Sequence, residues 1–188
     1  MKKGKIYARV LGIAVAALLL TAAFFALGEA KERRLMREYP LAYTEEVTLA
    51  SEKYHISPEI LYAVICTESG FDPDAESRAG ACGLMQITPD TYDWLLYIRR
   101  ENDRGDLFDP HTNIEYGAFF LSYLHRKFES WDTVFAAYNA GMNRVSEWLL
   151  DESITENGRL VNIPYTETDN YVKKVNNAIE IYRNLYEM

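Results

Sequence analysis

The chain is short of cysteine, of histidine and, beyond its first 34 residues, of positive charge. Its 188 residues include two cysteines and three histidines. No histidine lies near Cys66 or Cys82 at ligand spacing, which argues against a zinc site. Nothing marks a partner base that would make either thiol a nucleophile. His55, His111 and His125 lie apart from the motifs below and read as surface or cap residues. No metal and no cofactor are expected. Residues 1–34 hold seven Lys/Arg and two Glu, and the remainder holds 13 basic against 26 acidic residues, a net of −13. A body that acidic is a poor binder of nucleic-acid phosphates. Nor would bulk charge draw it to an anionic polymer, which it could bind only through local contacts in a cleft. Strand-period runs, internal repeats and low-complexity tracts are missing as well, which leaves a mainly α fold around one core.

One long hydrophobic run is present. Lys2, Lys3, Lys5 and Arg9 precede an apolar stretch from Val10 to Leu27, broken only by Gly12 and Thr21. Eighteen residues are short for a spanning helix and long for a signal-peptide core. The expectation is a basic cytoplasmic N-terminus (1–9), a single-pass anchor helix in the cytoplasmic membrane (10–27) and a charged stalk (28–42), with the body outside the cytoplasm by the excess of basic residues before the run. Cleavage near Ala26-Leu27-Gly28, giving a secreted protein, is the alternative. Either way the body is exported, where a disulfide between Cys66 and Cys82 is permitted. Two small buried thiols is the other reading, and both stay open.

In the body, Thr44 reads as the cap of a short helix to His55, with Glu45 and Glu46 in its first turn. Ser57-Pro58-Glu59 opens a helix with the apolar stripe Ile60, Leu61, Val64 and Ile65, ended by Gly70 and Pro73. Phe71 to Gly83 is a loop. Its Asp72-Pro73-Asp74-Ala75-Glu76 has the look of a calcium-loop fragment but lacks the central Gly and distal Glu, so it reads as solvated. Further helices are expected from Thr88-Pro89-Asp90 to Arg100, over 113–128, 131–139 and 142–150, and from Thr166 to Leu185, with a polar excursion at 152–164.

Four segments carry chemistry: Glu68-Ser69-Gly70-Phe71; Ser77 with Gly80-Ala81-Cys82-Gly83-Leu84-Met85-Gln86; Ala137-Tyr138-Asn139-Ala140-Gly141; and Pro164-Tyr165-Thr166-Glu167-Thr168 with Tyr171 beyond. Glu68 leaves an apolar helix into a glycine turn. Poor solvation there disfavours the charged carboxylate and raises its pKa, as a general acid requires. Ser77, Gln86, Tyr138, Asn139 and Tyr171 offer hydroxyls and amides suited to sugar hydroxyls and N-acetyl groups. Fourteen tyrosines supply flat faces with polar edges.

The order of these segments resembles the soluble lytic transglycosylase (SLT) domain, a lysozyme-like helical fold of glycoside hydrolase family 23 related to goose-type lysozyme. The resemblance covers roughly Glu45 to Tyr182, within a catalytic domain of 43–188. It implies cleavage of the β-1,4 bond between N-acetylmuramic acid and N-acetylglucosamine in peptidoglycan, without water, leaving 1,6-anhydromuramic ends. Glu68 would be the single acid and base. Ser77 and Gln86 would hold the muramic N-acetyl group or the intermediate, Tyr138 would contact Glu68 or the scissile region, Asn139 would bond the sugar, and Tyr171 would place Glu68 by a hydrogen bond. Ser69 and Met85 complete the expected substrate-binding set. Ser69 could equally bond its own helix backbone, and Met85 could belong to the core or a subsite wall. Where the family often has Glu-Thr-Arg, this chain has Glu167-Thr168-Asp169, so the subsite contact made by that Arg lacks its side chain here. Peptidoglycan strands are the partner implied, with no nucleic acid, and no protein partner can be inferred. A hydrolytic muramidase on the same bond and a non-catalytic wall-binding scaffold are the alternatives.

Overall fold

Proline at the first helical position fixes where three helices begin, because its missing N–H is one the helix start leaves unused. Pro58 opens α3 (Pro58–Glu68), Pro89 opens α4 (Pro89–Arg99) and Pro110 opens α5 (Pro110–Phe128). The computed structural model describes residues 2–102 and 104–188, with side chains from Leu18 onward. At α4 the Thr88 hydroxyl accepts from the Thr91 N–H (3.2 Å), as its sequence predicts. At α5 the cap is Asp109, whose carboxylate accepts from the Thr112 N–H (2.8 Å), so the helix begins three residues before the expected Asn113. Helix α2 (Thr44–Tyr54) takes Tyr43 rather than Thr44 as its cap residue. Helices α6 (Trp131–Ala140), α7 (Met142–Trp148) and α8 (Thr166–Tyr186) complete the body.

The polar excursion holds an unexpected hairpin of two two-residue strands, β1 (Thr155–Glu156) and β2 (Arg159–Leu160). Asn157 (φ 51°) and Gly158 (φ 74°) form its turn. Two consecutive positive φ values suit the right-handed twist of flanking strands, and Asn-Gly tolerates them.

Two compact units divide at Pro40. The first contains α1 (Lys2–Glu38). Leu18, Leu19, Leu20, Phe24, Phe25 and Leu27 on it are 64–75% exposed. Among the described residues no helix is long and apolar enough to cross a membrane. The side chains of residues 10–17, the first part of the expected span, lie outside those described.

The second unit, Leu41–Met188, is built around α3. Ile60 to Ile65 are all buried, so this helix is enclosed on every side rather than on one stripe. Helix α8 packs on α3 and α6, and α5 packs on α2 and α6. Tyr62 and Tyr182 stack at 5.4 Å across the α3–α8 seam, and Arg183 bonds the buried Glu59 (3.1 Å) at its far end. A second polar knot fastens α2, α4 and α5. There Arg99 bonds Glu115 (3.0 Å) and the Tyr54 hydroxyl (2.8 Å). These seams bring the last residue of α3 against α6 and α8, where the candidate site lies.

Candidate active site

Glu68 is the final residue of α3. Burial lifts its carboxyl from the usual 4.5 to about 7, while a hydrogen bond from Tyr171 pulls the other way. The Tyr171 hydroxyl, from the first turns of α8, donates to Glu68 Oε1 at 2.7 Å. Tyr171 is itself buried, and burial together with the nearby Glu68 charge holds its phenol well above the usual range. It therefore stays a neutral donor. One carboxyl oxygen of Glu68 is occupied by this bond, which leaves the other to carry a transferable proton.

Tyr138, on the last turns of α6, donates to the Met85 carbonyl at 2.7 Å. Burial and the Glu68 charge raise its phenol too, which places it within electrostatic reach of that carboxyl. Asn139 is exposed beside it, and its Oδ1 accepts from Thr168 Oγ1 (2.9 Å) at the start of α8.

Ser77 and Gln86 lie on the connection between α3 and α4, which is irregular but closely tied. Cys82 and Ile87 exchange backbone hydrogen bonds (3.0 and 3.1 Å), and the Gly83 N–H donates to Ala75 O (2.9 Å). Gln86 holds a left-handed conformation (φ 49°). Its amide nitrogen donates to Ala75 O (3.0 Å) and Gly83 O (2.9 Å), so only its oxygen remains for a ligand. Ser77 Oγ accepts from the Ala81 N–H (3.0 Å), so its hydroxyl proton is the part left to offer. One residue thus presents a donor and the other an acceptor, the complement of an N-acetyl group.

Four residues whose readings stood open take definite places. Met85 has 0% of its surface exposed and packs against Gly117, so its side chain is core and only its backbone serves the site. The Ser69 hydroxyl lies 3.2 Å from Ile65 O and 2.9 Å from Leu84 O and accepts from the Phe71 N–H, so its bonds all go to backbone. Cys66 and Cys82 are not joined. The Cys82 thiol turns back to Gly80 O (3.3 Å), whereas Cys66 pairs with the Tyr182 hydroxyl in α8.

Two cavities flank these groups. One of about 270 Å³ is lined by Thr67, Asn139, Glu167, Asn170, Tyr171 and Lys174. The other, about 580 Å³, includes Trp94, Phe120, Gly141, Asn143 and Arg144 in its wall. Phe120 lies 5.2 Å from the Tyr138 ring and 6.0 Å from Trp94, so one aromatic row links that cavity to the site. Trp148 and Tyr182 are buried in the core, and Trp131 stacks on His125 (4.3 Å). Sequence reading missed Glu167, Asn170 and Lys174 as lining residues. Their i, i+3, i+4, i+7 relation to Tyr171 on one helix face was the available signal.

The profile of the transglycosylase SLT domain family matches residues 46–159. The chain belongs to this family. The soluble lytic murein transglycosylase of Salmonella typhimurium is 36% identical over 148 residues, covering 75% of this chain and 23% of that protein. The membrane-bound lytic murein transglycosylase C of Edwardsiella ictaluri is 30% identical over 172 residues, covering 76% and 47%. The crystal structure of the 70 kDa soluble lytic transglycosylase from Escherichia coli superposes with a TM-score of 0.73 at 31% identity, covering 81% of this chain and 26% of that one. The SLT fold here is therefore the mainly helical, lysozyme-like one, and the chain spans about a quarter of the length of the soluble relatives it matches.

Proposed function

We propose that this chain is a peptidoglycan lytic transglycosylase with Glu68 as its single acid and base. The observation that carries the reading is a half-buried carboxyl, raised to about 7, held by a tyrosine donor on one oxygen. At neutral pH a large share of it is protonated, and it can protonate the leaving glycosidic oxygen. The resulting carboxylate then takes the proton of the C6 hydroxyl as that oxygen attacks C1. The β-1,4 bond breaks, the C1–O6 bond forms, and no water enters. Ser77 and Gln86 bind the muramic N-acetyl group through their donor and acceptor, and Asn139 bonds the sugar beyond.

An internal nucleophile explains why one carboxylate suffices. Hydrolytic glycosidases set two about 5–5.5 Å or about 6.5–9.5 Å apart. Among the described residues, burial and Tyr171 are the influences on the Glu68 carboxyl. Glu167 is the one observation favouring a muramidase, because it lines the cavity that Tyr171 also lines. The products separate the two readings, since anhydro ends mean transglycosylase and reducing ends mean hydrolase.

The same proposal divides the chain into a basic N-terminus (1–9), a membrane helix (10–27), a stalk (28–42) and a catalytic domain (43–188). The exposed leucines and phenylalanines between Leu18 and Leu27 support an anchor, as does the membrane-bound name of some relatives. The body would then act outside the cytoplasm. Glu68→Gln tests the assignment. Muropeptide release should vanish while glycan binding survives, and a variant retaining a tenth of wild-type release would sink it.

A further inference from the structure

Asn113 lies in the first turn of α5 with 0% of its surface exposed. Its Oδ1 accepts from the Met85 N–H (2.6 Å), and its Nδ2 donates to Cys82 O (2.9 Å) and Leu107 O (2.7 Å). All three partners are backbone groups of irregular segments: the Met85 N–H and Leu107 O lie outside any ladder or helix, and Cys82 O is shared with the Ile87 N–H (3.1 Å). Two glycines make this approach possible. A Cβ on Gly83 would sit 2.3 Å from Leu107 O and 2.4 Å from Asn113 Nδ2, and one on Gly117, a helical turn after Asn113, would sit 2.3 Å from Met85 Sδ. The Cys82–Gln86 segment is thus clamped onto α5 by one side chain and two missing ones.

That segment carries the backbone contacts of the site. Leu84 O accepts from Ser69, the residue after Glu68 (2.9 Å). Met85 O accepts from the Tyr138 hydroxyl (2.7 Å). Gln86 follows in its left-handed conformation. We propose that Asn113 is a positioning residue for the transglycosylase reaction: it holds Cys82–Gln86 at the depth where Met85 O fixes Tyr138 and Gln86 turns its amide oxygen to the substrate. This rests on the reading of Glu68 as the acid. A purely structural Asn113 would stabilise the fold without altering the site of the folded molecule.

Asn113→Ala separates the two roles. The full chain in detergent micelles is compared with wild type for muropeptide release from sacculi and for the titration of the Glu68 carboxyl by carbon NMR. Tyr138 and Tyr171 face that carboxyl, and Glu167 and Lys174 line the adjoining cavity. A positioning role predicts at least a tenfold fall in kcat for folded variant. It also predicts a Glu68 midpoint moved toward the ordinary carboxylate range, as water enters past the loosened segment. A folded variant with kcat within twofold and an unmoved midpoint overturns the proposal. If the variant does not fold, amide hydrogen exchange in the wild-type chain decides. The Met85 N–H should exchange only as slowly as the amides of α3, and faster exchange through local opening overturns the clamp. Wild type that releases no product defeats the reading of Glu68 instead, while the NMR titration and the Met85 exchange still test Asn113.

Discussion

The Tyr171 hydroxyl donates to Glu68 Oε1 at 2.7 Å across 103 positions of sequence. This bond joins the end of α3 to the start of α8 and favours the carboxylate, opposing the burial that favours the acid. The balance near 7 lets the same group give up a proton and take one back within a turnover.

Removing the donor should tip that balance. In Tyr171→Phe the Glu68 pKa rises further, because the bond that lowered it is gone. The alkaline limb of muropeptide release against pH, near 7 in wild type, should move to higher pH. The maximal rate should fall about tenfold, as expected for losing a hydrogen bond to a charged group worth about 1.5 kcal/mol. An unmoved limb would separate Tyr171 from the titration of Glu68.

The raised pKa also burdens the fold. Below about 4.5 the carboxyl is protonated in folded and unfolded chains alike. As pH rises from there to about 7, the unfolded chain releases the proton while the folded one holds it, so stability falls, and above 7 the penalty is complete. Glu68→Gln removes the penalty. Denaturant unfolding should show the variant more stable by roughly 3 kcal/mol at pH 8, with little difference at pH 4. Equal stability at both would mean that Glu68 is ordinarily solvated.

Much of this site was legible in the chain. Glu68 stood out because an apolar helix ends in a carboxyl and a glycine, and Tyr138, Asn139 and Tyr171 because of the motifs that hold them. What stayed hidden depends on the direction of a side chain rather than on its type. Met85 sits between two groups that point into the site, yet its own side chain turns into the core against Gly117. Cys66 and Cys82 flank motifs that converge, but their thiols face Tyr182 and Gly80. The hairpin around Asn157-Gly158 was missed because two-residue strands are too short to alternate. Asn113 read as one more helical residue. Its sign was a polar side chain in line with Gly117 and Leu121, on a face otherwise committed to the core.

Gly83 tests the packing behind the site. Its φ of +73° and the 2.3 Å approach to Leu107 O leave no room for a methyl group. Gly83→Ala combines left-handed strain with overpacking and should destabilise the body by about 2–4 kcal/mol. Thermal unfolding followed by circular dichroism measures it. A loss under 0.5 kcal/mol, no more than an ordinary surface substitution costs, would show that the Cys82–Gln86 segment is not clamped.

In the proposed reaction Glu68 works with the substrate's own C6 hydroxyl in place of water. Digestion of purified sacculi by the full chain, with the released muropeptides weighed by mass spectrometry, tests it most directly. The expected products are 1,6-anhydromuramic species, each lighter by one water than its hydrolysed counterpart, with none from Glu68→Gln. Reducing-end products from the wild-type chain, lost on Glu167→Gln, would contradict it and make the protein a two-carboxylate hydrolase.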